Sequence, residues 1–280
     1  MTHKTRKALR RRRRLHGGNQ EKDAARCQCA ESNGKQCEKP AVGETPFCKN
    51  HKQCSLGPTS GFEPSFEQQK EYNDPAVRLI HNCFSYGFGV VDPKLVNKCK
   101  EKKLKDCRVH FHQPGALHGE RNALNVGERR TCPVVEKLMI ADIPSVTRTD
   151  FAAKCPPNTS KIALVVDKGE DYHFYRQDPD GMWSHKDGSN KVKRYDALKK
   201  PIANPQLASR NYEWTGSDLN YEDFCGFYCV PRTDDVELAP GEPIDSSGGG
   251  SRPGLSWRDH RTRSAQRKAQ RRQRRQTRRS

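Results

Sequence analysis

The chain reads as an α+β protein, and three features of the sequence predict this. Helical material comes first, over residues 76–88 and 133–140. Strand-like runs follow, at Ile162-Ala163-Leu164-Val165-Val166 and at residues 172–177, 182–186 and 224–230. Between the second and third of these runs lies Asp178-Pro179-Asp180-Gly181, which is turn sequence. Helices first and strands later is the α+β order.

Residues 76–88 are apolar enough to be buried, with a short helix expected after Cys83. Asn82 precedes that helix, and Asp92-Pro93 ends the segment. Residues 133–140 suit a helix with Pro133 in its first turn. The continuous apolar run from Ile162 reads as a buried strand. The Asp178–Gly181 turn suits a type I turn with Gly181 as the bulge residue. Tyr175 then faces His185, and His173, Tyr175, His185 and Asp187 share one face of the hairpin. A four-residue loop would move His185 to the other face. The last run is rich in aromatics, and Cys225 and Cys229 within it read as core.

Around this part the chain divides further. Residues 1–24 form a basic arm expected to be disordered, and residues 25–56 a small Cys/His module. Residues 57–74 are a connector, 75–232 the globular part, and 233–280 a linker with an Arg-rich tail. The formal charge of +18 belongs to the ends. Residues 1–20 hold eight Lys/Arg and no acid, and residues 251–280 hold twelve Lys/Arg and one acid. The 230 residues between carry 32 basic and 33 acidic groups. Self-repelling basic blocks cannot form a core and serve as polyanion-binding arms. Arg10, Arg11, Arg12, Arg13, Arg14, Arg271, Arg272, Arg274 and Arg275 are the expected contacts to nucleic acid or another polyanion. Guanidinium pairs with phosphate in a bidentate way.

No run reaches the about 20 apolar residues of a membrane span. No apolar stretch lies near residue 1, so no secretory signal is visible. The expected location is therefore intracellular. Twelve cysteines in such a chain argue against a disulfide framework and for metal ligands, buried thiols or a nucleophile.

Cys27, Cys37, Cys48 and His51 have the spacing of a structural zinc knuckle, with four N/S ligands and no open position. Cys29 and Cys54 are alternative ligands. Only Val42, Phe47 and Leu56 could pack in this module, so metal must supply most of its folding energy.

Cys83 is the candidate nucleophile. A thiol reacts as thiolate, activated by a helix N-terminus or by a nearby His. His173 is the candidate base, with His185 as the orienting group and Asp187 as a local alternative. Backbone N–H groups at the start of the Cys83 helix would hold the oxyanion, and Gln113 is a weaker candidate. Cys99, Cys107, Cys132, Cys155, Cys225 and Cys229 have no clear chemical partners. Phe174, Tyr175 and Trp183 read as packing. His110 and His112 read as exposed on one face of a strand.

Asn82-Cys83-x-x-Tyr86, Gln113-Pro114-Gly115, the run from Asp171 to Arg176, Trp183-Ser184-His185-Lys186 and the run from Phe224 to Cys229 carry a resemblance. Over about residues 75–232 the chain is similar to a family of uncharacterised proteins of large DNA viruses and some bacteria. That family resembles papain-like cysteine peptidases and amidases. The resemblance implies a papain-like domain, with a helix bearing the Cys and an antiparallel sheet bearing the His hairpin. It implies acyl transfer through Cys83, with His173 as base, on a protein or peptide substrate. It also implies a viral factory, host nucleus or virion as the setting. The rival expectation is a non-enzymatic DNA-packaging or capsid-associated protein on a dead papain-like scaffold.

Overall fold

The structure is a computed structural model that describes residues 25–241, except 53, 102–106, 122 and 126. Among the described residues, five α-helices come before the long strands: α1 Gln69–Asn73, α2 Pro75–Arg78, α3 Cys83–Phe88, α4 Pro93–Glu101 and α5 Cys132–Asp142. Six strands follow: β1 Thr147–Thr149, β2 Thr159–Asp167, β3 Asp171–Gln177, β4 Trp183–Lys186, β5 Val192–Lys193 and β6 Asp223–Pro231. The sheet is antiparallel throughout, in the order β1-β6-β2-β3-β4-β5. The α+β expectation is met. No helix among the described residues is long and apolar enough to cross a membrane.

Period-2 alternation divides the central strands into two faces. Ile162, Leu164, Val166, Tyr172, Phe174 and Tyr228 pack with α3 and α5 on the helical face. Ala163, Val165, Tyr175, Trp183 and Phe227 pack against Ile202, Ala208 and Tyr221 on the other. That second cover is an irregular segment, 194–222, with no long helix or strand. With both faces covered, β2 is apolar at every position from Ile162 to Val166. This is why the run from Ile162 lacks alternation.

The hairpin forms as read from the sequence. Gly181 N donates to Asp178 O at 2.9 Å, Gly181 has φ +81°, and Tyr175 pairs with His185. Helix α3 starts as expected, because Asn82 Oδ1 accepts from Phe84 N and Ser85 N. Gly89 closes it in the left-handed region, at φ +78°.

Polar side chains lock α3 to the hairpin. Tyr86 OH meets Ser184 Oγ at 2.6 Å, and Ser184 Oγ donates to Asp178 Oδ1 at 2.8 Å. Arg176 donates to Tyr86 OH at 2.9 Å and lies over its ring at 4.0 Å. Lys186 Nζ donates to the carbonyls of Arg78, His81 and Gly188. Tyr86, Arg176, Ser184 and Lys186 all belong to the motifs that carry the family resemblance. Here they hold the fold.

Three expectations are corrected. Eight of the twelve cysteines pair, as Cys29–Cys54, Cys99–Cys107, Cys132–Cys225 and Cys155–Cys229. The expectation against a disulfide framework followed from the supposed compartment, and the pairing corrects it. His110 and His112 are buried, not exposed. They lie at a 3-10 turn and its exit, where His112 Nδ1 meets Ser85 Oγ at 2.9 Å. Order also runs past the expected start of the tail at 233. Gly241 N donates to Phe111 O at 2.9 Å, and Arg121 donates to Pro240 O at 2.8 Å. The basic residues at both ends lie outside the described residues.

Candidate metal centre and the Cys83 region

The module 25–56 is built from short backbone bridges, Arg26 to Pro40 and Ala30 to Gln36. Cys27, Cys37 and Cys48 are buried in it, and His51 is half-buried. Their donor atoms all lie within 4.8 Å of one another. Cys37 Sγ is 3.9 Å from Cys48 Sγ. His51 Nδ1 is 3.6 Å from Cys27 Sγ and 3.5 Å from Cys48 Sγ. A tetrahedral centre with metal–sulfur bonds near 2.3 Å has S–S edges of about 3.8 Å and S–N edges of about 3.6 Å. The donor set therefore fits a metal ion held by four protein ligands.

One thiol, Cys48, is biased towards the thiolate form that ligates metal. Burial pushes the Cys48 thiol up, but the backbone N–H groups of Asn50 and His51 outweigh it and bring it down to about 7. Burial raises its neighbour Cys27. Cys29 and Cys54 are excluded as ligands because they are bonded to each other. The module is docked on the irregular cover by two glutamines. Gln28 accepts from Ala203 N and Asn204 N and donates to Pro201 O, at 2.8 to 3.2 Å. Gln36 donates to Leu207 O at 2.9 Å.

Cys83 begins α3, but its surroundings are those of a core thiol. Its nearest hydrogen-bond acceptor is the Tyr172 carbonyl, at 4.0 Å, and it packs in the helical-face cluster with Tyr172 and Phe174. His173 is one residue out of step. Its ring packs against Tyr175 and Tyr221, at 5.2 and 5.5 Å, within the other face. No hydrogen bond joins Cys83 Sγ to His173 among the described residues. Burial, with Asp171 adding to it, holds the Cys83 thiol far above its ordinary range. Burial drops the His173 imidazole to about 3. Both groups rest neutral. The N–H groups of Phe84 and Ser85 at the helix start are already taken by Asn82. Gln113 accepts from Tyr172 OH. The neighbouring Gly115 is held by buried Asp142, which accepts from its N–H at 2.7 Å.

His173 and His185 do come together, with Nε2 2.8 Å from Nδ1. Asp187 Oδ1 lies 2.9 Å from His185 Nδ1. The hairpin face was read correctly from the turn. The side on which the Cys helix packs was not.

Insoluble matrix shell protein 1 of the clam Ruditapes philippinarum is 30% identical to this chain over 166 residues, which make up 59% of this chain and 90% of that protein. The chain belongs to that family. No family model matches the chain, and no solved structure matches it. The resemblance to a viral and bacterial papain-like family thus rests on its motifs alone. The kinship overturns the intracellular placement. A shell matrix lies outside cells, which a viral factory or a host nucleus does not.

Proposed function

We propose that the chain is a non-catalytic building block of an insoluble extracellular matrix of the shell kind. The observation that carries this reading is the kinship to a shell matrix protein over nine-tenths of that protein's length. The chemistry of the chain agrees with it. Four disulfides suit an oxidising compartment and close a fold whose irregular cover has little regular hydrogen bonding. Cys27, Cys37, Cys48 and His51 hold zinc, the ion that suits three thiolates and one imidazole in a closed tetrahedron. The ion supplies folding energy to a module with almost no apolar core. The basic ends grip a polyanion, by counterion release and Arg pairing. In a matrix the polyanion is an acidic polysaccharide or protein.

The test is retention of the full chain on heparin, a sulfated polysaccharide. Retention should resist moderate salt, vanish when residues 1–24 and 251–280 are removed, and be indifferent to Cys83→Ala. Elution at low salt, or retention unaffected by removing both ends, contradicts the polyanion role.

Acyl transfer through Cys83 is the second reading. It is favoured by a capped helix that starts at the thiol and by a His173 ring fixed through His185. It needs the thiol to move from the Tyr172 carbonyl to His173. Labelling with iodoacetamide at pH 6 separates the two readings. Fast labelling of Cys83 that is lost in His173→Ala supports acyl transfer. No labelling in the folded protein supports the matrix reading.

A further inference from the structure

The hairpin brings three donor atoms around one point. His173 Nε2, His185 Nδ1 and Asp187 Oδ1 are separated by 2.8, 2.9 and 3.4 Å. Ligands about 2.0–2.1 Å from one ion, at angles between 90° and 110°, are separated by about 2.9–3.4 Å. Both rings are buried, whereas the Asp187 side chain is 30% exposed.

With both rings neutral, the hydrogen positions leave one contact that a positive charge at this point would satisfy. His185 Nε2 lies 3.0 Å from the carbonyl of Tyr195. A carbonyl can only accept, so Nε2 carries a hydrogen, and the neutral ring has a bare lone pair at Nδ1. That lone pair faces both His173 Nε2 and a carboxylate oxygen. A hydrogen on His173 Nε2 satisfies the first contact. The second sets two acceptors 2.9 Å apart unless Nδ1 carries a positive charge, either as a second ring proton or as a metal ion. A carbonyl that holds the outer nitrogen of a ring, leaving the inner one free, is the usual support of a metal-binding histidine. Lys193 Nζ pairs with the other carboxylate oxygen, Oδ2, and leaves Oδ1 turned inward.

We infer that His173 Nε2, His185 Nδ1 and Asp187 Oδ1 form a second metal site, separate from the knuckle, for a divalent transition ion of the zinc and cobalt class. Two imidazoles and one carboxylate suit such ions, whereas calcium takes oxygen ligands. Three protein ligands leave a position open for water or an outside donor. This goes beyond the matrix reading, and it excludes the acyl-transfer reading while the ion is bound. An ion on Nε2 forces the hydrogen of His173 onto Nδ1, which then cannot accept a thiol proton.

The test titrates Co2+ into the full chain already carrying one equivalent of zinc, followed by calorimetry and visible absorption. One further ion per chain should bind, with d–d bands and no thiolate-to-cobalt charge transfer. That equivalent should be lost in Asp187→Asn and His173→Gln and kept in Cys83→Ala. Proton NMR provides a readout without substitution, because the His185 Nε2 hydrogen should shift paramagnetically when Co2+ binds. Absence of a further equivalent overturns the site. So does binding that persists in both variants, or a His185 signal unmoved by bound Co2+.

Discussion

The knuckle at 25–56 and the sheet at 147–231 use cysteine in opposite ways. In the knuckle, three of the five cysteines stay reduced and converge with His51, and the remaining two close the module. Two bonds anchor β6, to α5 through Cys132–Cys225 and to the segment before β2 through Cys155–Cys229. The sheet has a core on each face, so its disulfides add to a fold that apolar packing already directs. The knuckle buries little besides its own sulfur. Its fold depends on ties between side chains, and the same residue type therefore does different work in the two regions.

Metal removal should break this comparison most visibly. Chelation should make residues 25–56 sensitive to trypsin at Arg26, Lys35 and Lys49, while the near-UV signal of the sheet survives. Structural zinc contributes about 10–16 kcal/mol of apparent binding energy in small fingers. A knuckle that resists trypsin without metal would show that the disulfide alone holds it.

Removing a sheet staple should cost less. Cys132→Ala with Cys225→Ala opens a closure of 93 residues. This should lower stability by about 4 kcal/mol, read by thermal unfolding, without changing the fold.

A pH effect should follow from the helical side of the sheet. Burial lowers His81 from 6.5 to about 4. Its Nε2 accepts from Asp92 N at 2.9 Å, and its Nδ1 meets Val77 O at 2.9 Å, so the folded state keeps the ring neutral. The folded value is below the unfolded one, so the unfolded chain binds more protons between these values. The stabilisation is complete above pH 6.5 and is lost as pH falls towards 4, by up to about 3 kcal/mol. Urea midpoints at pH 7 and 4.5 should differ less in His81→Asn than in the parent.

The smallest effect should come from Asn82→Ala. It removes the cap of α3, at a cost of about 1 kcal/mol, read as a small shift in urea midpoint. It also frees the N–H groups of Phe84 and Ser85. Iodoacetamide labelling of Cys83 should stay slow, because the thiol's burial is unchanged.

The sequence made much of the fold legible, because local chemistry decided it. Pro133 marked a helix start, Asp178 to Gly181 a turn and its register, and Asn82 a cap. The four candidate metal donors were legible from spacing in a segment with nothing else to pack. The partner of Cys83 was not legible. Tyr172, His173, Phe174 and Tyr175 are all buried, so strand β3 carries no polar face to show which side meets α3. The disulfides joined residues up to 93 positions apart, and spacing alone could not pair them. His112 looked exposed because its partners, Ser85 and Asp92, lie on α3 and just before α4.

The chain divides its cysteines into eight that are bonded in pairs, three at the candidate metal centre and one buried thiol. Counting alkylated cysteines by mass spectrometry tests this division directly. The zinc-loaded folded chain should take no N-ethylmaleimide, denaturant with chelator should expose four sites, at Cys27, Cys37, Cys48 and Cys83, and reductant should be needed for the other eight. Twelve reactive thiols without reductant, or rapid reaction of Cys83 in the folded chain, would contradict the account.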